Sequence, residues 1–331
     1  MMKLSVMTSI FGTVDEGWRS PFAEQLASPW GFDPGTLFFW RASANAIFIL
    51  KRGVRDYYLR INEGGERRVE EWVAETAILH RFHETPVQVA QPVVSRFGRY
   101  VETAETELGV YHAMLFEALP GSQSELSEMT SEDIRLWGAE LGKFHRQVER
   151  MPVSVFDGRP GVLELLENAG RELPEDDASS RKEWKDLTDE AQRLLESKPR
   201  DFERVVHYDF QPDNLRFDNG RIGVIDFDDC ARLPAEADIA YALADLSSMT
   251  MEFDHPIVEA FMSGYRSERK PDAVWLDHLD WFLRLNRFLS YARLIRSLEI
   301  GSAFDDDVRM DGLRSKLLKI TMELRESFDG R

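Results

Sequence analysis

Short apolar runs separated by small or polar residues begin at Thr36. Leu37-Phe38-Phe39-Trp40 stops at Arg41-Ala42-Ser43-Ala44-Asn45, and Ala46-Ile47-Phe48-Ile49-Leu50 resumes, which predicts a hairpin with its tip at Ser43 to Asn45. A third strand is expected over residues 56–61, where alternation sets Tyr57, Leu59 and Ile61 on one face and Tyr58 and Arg60 on the other. Residues 66–83 change to a helical period. Trp72, Ile78, Leu79 and Phe82 surround Glu75 at helical spacing, so this carboxylate stands inside an apolar stripe and needs a partner. Glu71 is the competing acid, while Glu70 reads as solvated. Residues 86–116 read as the end of a five-stranded sheet, with Val93-Val94 and Tyr100-Val101 flanking a Phe97-Gly98 turn. Residues 1–30 are weakly patterned and are expected to wrap this first unit.

Further along, Thr130 to Glu149 predicts a helix capped by Thr130, with His145 on its apolar stripe as a core histidine. Residues 152–200 are charged and broken by Gly and Pro. They predict one or two surface helices and a mobile loop from Pro174 to Ser180. After Asp229 the pattern is helical to the end, with one helix closing at Gly264-Tyr265-Arg266 and another over 275–299.

The chemistry concentrates between Arg204 and Asp229. Val205-Val206 leads into His207 and Asp209. Leu215 and Phe217 precede Asn219-Gly220, a strong hairpin signal, and Ile222, Val224 and Ile225 lead into Asp226. That hairpin brings Asn214 and Asp226 together, with Asp209 just ahead. An oxygen-rich set of this kind suits Mg²⁺ with phosphate better than zinc.

His207-x-Asp209-x-x-x-x-Asn214, followed by a strand ending in Asp226-Phe227, resembles the catalytic and metal loops of the protein-kinase-like superfamily. Tyr208 stands where protein kinases have Arg, and Asp228 where they have Gly. Asp238 comes 12 residues after Asp226, which leaves little room for a protein-kinase activation segment. These details are more similar to the aminoglycoside phosphotransferase and choline kinase branch. The resemblance runs from about Gly31 to the last helices.

It implies an α+β bilobal fold: an N-terminal lobe (1–117) with a five-stranded antiparallel sheet and a helix for the nucleotide, and a larger, mainly helical lobe (118–331) for catalysis and acceptor binding. It further implies phosphoryl transfer from ATP, or GTP, to a hydroxyl. Asp209 is the implied base, and Asn214 and Asp226 the Mg²⁺ ligands, with Asp228 reaching a second metal or the substrate. Ser43 to Asn45 resemble the family's short nucleotide loop. Arg60 stands where the family more often has a phosphate-binding Lys, with Glu75 its implied partner. Glu117 and Leu119 hold adenine by backbone, His207 packs under the loop, and Asp238 fixes the loop's backbone.

Composition narrows the partners. With 331 residues, 43% hydrophobic and 30% charged, the chain reads as an ordinary globular protein. One cysteine, Cys230, forms no intramolecular disulfide and is assigned to packing; no signal peptide or membrane-spanning run is read, so a cytoplasmic location is expected. The net charge of −18 argues against nucleic acid or anionic membrane as the main partner and favours a cationic small-molecule acceptor. Asp228 and Asp229, joined by Asp277 and Asp280, are expected to face it. Three alternatives remain: a protein Ser/Thr kinase of the same fold, a metal-dependent hydrolase using His207, Asp209 and Asp226, and a catalytically silent nucleotide-binding module.

Overall fold

The computed structural model describes residues 1–246, 254–299 and 310–329. Its first half is built on a five-stranded antiparallel sheet. The strands are β1 (Leu37–Ala42), β2 (Ala46–Arg52), β3 (Arg55–Glu63), β5 (Val101–Thr106) and β6 (Gly109–Glu117), in the order β1-β2-β3-β6-β5. Strand β3 is central, so Arg60 stands on a covered strand and not on an edge. One face of the sheet buries Leu37, Phe48, Leu59, Ile61 and Leu115 against helices α1 (Leu4–Phe11) and α2 (Pro21–Ala27). The weakly patterned N-terminus does wrap this lobe. Helix α3 (Val69–Phe82) carries Glu75, which reaches Arg60 of β3.

The stretch before β5 differs from its sequence reading. Gln88–Val89 forms a short strand, β4, that pairs with a strand of the second lobe. Val93-Val94 joins no named strand. Pro92 has no N–H for a ladder bond, and beyond the Val93 N–H, which reaches Leu115 O at 2.7 Å, the chain peels into the Ser95–Arg99 loop. The turn at Phe97-Gly98 exists, with Gly98 at φ +76°, but the sheet's hairpin closes at Glu107-Leu108 instead.

The second half is mainly helical. Two short hairpin strands, β8 (Leu215–Asp218) and β9 (Arg221–Val224), join β4 in a three-stranded sheet; β7 (Val205–Val206) pairs with β10 (Ala231–Arg232). The chain after Asp229 is therefore extended before helix α7 (Glu236–Ala242), which corrects the all-helical expectation. The parts of that expectation falling on 247–253, 300–309 and 330–331 lie outside the described residues. Helix α4 (Ser131–Arg150) starts with a capping box between Thr130 and Asp133, and α5 (Val162–Arg171) and α6 (Ala178–Ser197) follow.

Helix α8 (Pro256–Glu268) runs through Gly264 without stopping. A Cβ on Gly264 would meet the Arg135 carbonyl of α4, and one on Gly138 of α4 the Phe261 carbonyl of α8. These glycines let the two helices approach closely, so Gly264 is a packing residue and not a terminator. The Pro174 to Ser180 segment is likewise tied down. Arg181 donates to Leu173 O and Pro174 O at 3.0 and 2.9 Å, and Asp177 accepts from Tyr291 and Arg325 at 2.6 and 2.5 Å.

The two cores interleave. Ile78, Leu79 and Phe82 of α3 pack into the second-lobe core, while Leu298 of α10 (Leu279–Leu298) and Leu317 of α11 (Asp311–Glu326) pack into the first. The cleft that remains between the lobes holds the site. Among the described residues no helix is long and apolar enough to cross a membrane.

Candidate active site

Past β7 the backbone turns sharply, with Tyr208 at φ +76°, a left-handed conformation unfavourable for a bulky residue. Asp238 on α7 holds it there: its carboxylate accepts from the N–H groups of His207 and Tyr208, both at 2.7 Å. Asp238 is itself oriented by His145, whose other ring nitrogen meets Tyr265 Oη. His207 packs among Phe144, Phe210 and Phe227, and its Nε2–H donates to Ile225 O at 3.1 Å. Burial holds its pKa below the usual imidazole value, so it stays a neutral support.

This platform carries Asp209. Asn214 Nδ2 donates to Asp209 Oδ2 at 2.8 Å and to its carbonyl at 3.1 Å. The β8–β9 turn has Asn219 at φ +49° and Gly220 at φ +75°, the mirror-image turn that Asn-Gly favours. Its register ends with Ile225 N–H on Asn214 O at 3.0 Å, which sets Asp226, at φ +67°, beside the Asp209–Asn214 pair. Burial, then the charges of Asp213, Asp229 and Asp228, push the Asp209 carboxyl up to about 7. Burial and Asp228 likewise raise Asp226 well above the carboxylate range. Half-buried carboxylates that repel one another, next to an amide, form a hard-oxygen set that a divalent cation would relieve; the residues fit Mg²⁺.

Asp228 is differently placed. Asn45 Nδ2 donates to it at 2.6 Å, and Arg67 Nη1 lies 3.4 Å away. Although burial opposes ionisation, Arg67, Arg60 and Asn45 hold its pKa far below the usual value. Asp229 is bridged by Arg67 at 2.9 Å and Arg293 at 3.0 Å. Neither acid stands as a free carboxylate toward an acceptor, contrary to the charge reading. Asp280 opens α10 thirteen residues before Arg293, roughly 20 Å along the helix, and Asp277 ends the short helix before it; neither joins this cluster.

Arg60 meets Glu75 through both guanidinium ends, at 2.9 and 2.5 Å, with side-chain exposures of 4% and 1%. Glu71 is taken by Arg68 at 3.0 Å. Arg60 lies over Trp72 and Phe116 and reaches within 3.7 Å of Asp226. Between this pair and the lobe junction lies a cavity of about 240 Å³, walled by Ile47 and Tyr58 above, Glu117 and Leu119 at the junction, and Arg216, Ile225 and Asp226 below. The Glu117 N–H is already given to Gln91 O at 3.0 Å, so among the expected backbone contacts only its carbonyl and Leu119 remain for a ligand. Ser43 is exposed at the hairpin tip, whereas Asn45 is buried against Asp228 and Asn62.

The model of the phosphotransferase enzyme family (APH) matches residues 38–278. The chain belongs to that family. It is a kinase-type phosphotransferase with an alcohol group as acceptor. Amicoumacin kinase of Bacillus subtilis (strain 168) is 24% identical over 300 residues, covering 86% of this chain and 88% of that protein. Among solved structures, amicoumacin kinase hAmiN in complex with AMP-PNP and Ca²⁺ aligns with a TM-score of 0.75 at 21% identity, over 97% of this chain and 96% of that one. A microcompartment-associated aminopropanol kinase aligns with a TM-score of 0.67 at 23% identity, over 93% and 96%. This likeness establishes the protein-kinase-like bilobal fold.

Several residues of this phosphotransferase's site gave no sequence signal. Arg67 and Arg293 neutralise the acids after Asp226. Arg159, only 2% exposed, donates to the carbonyls of Glu71, Asp228 and Cys230, tying α3 to the Asp226–Asp229 loop. Arg41 and Arg216 line the cavity. Arg216 lies two residues after Asn214 inside the motif stretch but at a position the motif does not specify, and the others stand in no motif; the run Glu66-Arg67-Arg68 offered at most an unexplained charge before a helix.

Proposed function

We propose that the protein transfers the γ-phosphoryl group of ATP, with GTP the alternative donor, to a hydroxyl of a small molecule. The observation that carries this reading is the pairing of Asn214 with Asp209 beside Asp226, which lines the inter-lobe cavity together with Arg60, itself paired to Glu75. Residues 1–117 would serve the nucleotide, and 118–331 catalysis and the acceptor. Asn214 and Asp226 would hold Mg²⁺, which supplies neutralisation of charge on the phosphates. Asp228 would act from behind, through Asn45 and Arg67, more than as a ligand. Asp209 would orient the acceptor hydroxyl and take its proton, and a carboxyl pushed up toward neutrality is suited to that work. Arg60 would meet the phosphates, Ser43 the nucleotide from the hairpin tip, and Glu117 and Leu119 the base through backbone groups. His207 and Asp238 would keep the loop in place.

An amine on the acceptor is supported by what one neighbour is named for, aminopropanol. Asp229 no longer supports it, being paired to two arginines. A cytoplasmic location rests on the single cysteine and the sequence pattern, and independence from nucleic acid and anionic membrane on the acidic composition. The test is ATP consumption against a panel of amino alcohols, sugars and aminoglycosides, run on the wild type and Asp209→Ala. We expect one acceptor class to be turned over and Asp209→Ala to lose at least ~10²-fold in kcat while staying folded. A folded Asp209→Ala protein with normal turnover would remove Asp209 from the chemistry. Phosphorylation of proteins in place of every small acceptor would favour the protein-kinase reading.

A further inference from the structure

Arg41 and Arg216 enter the nucleotide cavity from opposite lobes. On β1, Arg41 pairs with Ile47 of β2, which pairs with Arg60 of β3. The three form one row across the sheet, with Arg41 two strands, roughly 10 Å, from Arg60. On β8, Leu215 is buried in the second-lobe core, so the pleat turns Arg216 to the opposite face and into the cavity. Neither arginine has a carboxylate within ion-pair distance among the described residues. Arg216 gives one nitrogen to Leu215 O at 3.1 Å and to Asp213 O at 3.4 Å. Burial lowers its pKa, opposed by Tyr58, helped by repulsion from Arg41 and opposed again by the Asp213 carboxylate. The charge of Arg60, in contrast, is already met by Glu75.

The repulsion between two half-buried guanidinium groups that line one cavity, neither of them in an ion pair among the described residues, is stronger in a lowered dielectric, even with Glu117 and Asp226 on the same walls. An anion bridging them would relieve it. A flat neutral base would leave both charges in place. Resting on the nucleotide reading of this same cavity, we propose that Arg41 and Arg216 are phosphate-binding residues, one from each lobe, that draw the lobes onto the nucleotide's phosphate chain. Arginine forks suit phosphate oxygens, and a contact spanning both lobes links affinity to their approach.

Calorimetric binding of ATP, ADP and adenosine at low and high salt tests this on the wild type, Arg41→Gln, Arg216→Gln, the double variant and Arg216→Lys. We expect each Gln variant to weaken ATP binding by ~10-fold or more, the scale of one charge-assisted contact. Adenosine binding should be unchanged. The double variant should show a flatter salt dependence, and Arg216→Lys, which keeps the charge but not the fork, should bind ATP with an affinity between those of the wild type and Arg216→Gln. Unchanged ATP affinity in the double variant overturns the assignment. So does an equal loss for adenosine, which would mean that the guanidinium packs on the base. Failure of the wild type to bind ATP or GTP at all would instead sink the nucleotide reading itself.

Discussion

At Asp209 the surroundings act against the charge that the proposed chemistry needs. Burial and neighbouring acids push its carboxyl up to about 7, against about 3.9 for an ordinary aspartate. Between those values the folded protein holds a proton that the unfolded chain has released. Stability therefore falls as pH rises across that window, and Asp226 shifts in the same direction. Melting temperatures in a chelator should drop from pH 5 to pH 8. Mg²⁺ should recover the loss at pH 8, and Asp209→Asn should flatten the slope. An identical slope in wild type and Asp209→Asn would show that Asp209 does not carry the effect. The residues that make this site were legible in the sequence because His207, Asp209, Asn214 and Asp226 lie within one short stretch at fixed spacing. The arginines that neutralise Asp228 and Asp229 were not, since Arg67 and Arg293 come from 162 and 64 residues away.

Among the elements, α3 and β3 depend on each other through one buried ion pair. Arg60 and Glu75 are each almost fully enclosed, so removing either partner strands a charge and should destabilise by ~3–5 kcal/mol. In a double-mutant cycle with Arg60→Met and Glu75→Gln, stability and ATP affinity should both be non-additive; additivity would show that the two residues act separately. Helices α4 and α8 depend on each other through the absence of side chains. Gly264→Ala would drive a methyl into the Arg135 carbonyl and should destabilise by at least ~2 kcal/mol in denaturant unfolding, with a similar effect for Gly138→Ala. A neutral Gly264→Ala would mean that the helices can separate without loss. Glu75 could be paired from sequence because a carboxylate in an apolar stripe demands a partner. Gly264 could not be read correctly, because a glycine that ends a helix and one that admits a neighbouring helix look alike until the neighbour is known.

Across the whole molecule, the lobes share their cores, so nucleotide binding in the cleft should register as global stability. MgATP at about a hundredfold its Kd should stabilise by ~2.7 kcal/mol. Asp209→Ala should keep that gain while losing turnover, and a variant losing both would place Asp209 in nucleotide binding instead. The sequence by itself determined the elements whose cause is local. The β1–β2 and β8–β9 hairpins follow from period-two runs around turn residues, α3 and α4 from helical spacing, and the oxygen-rich loop from the order of its acids. The tertiary structure alone decided the pairings between distant segments. It moved Gln88–Val89 out of the first sheet and onto β9, set Pro92 where the ladder must stop, and returned Leu298 and Leu317 to the first lobe's core. It also converted the acidic run after Asp226 from an open negative face into a set of ion pairs with Arg67 and Arg293. Turn chemistry and periodicity act over a few residues and leave their mark in the sequence. Charge pairing and close helix contact depend on which surfaces meet after packing, and no local pattern records that.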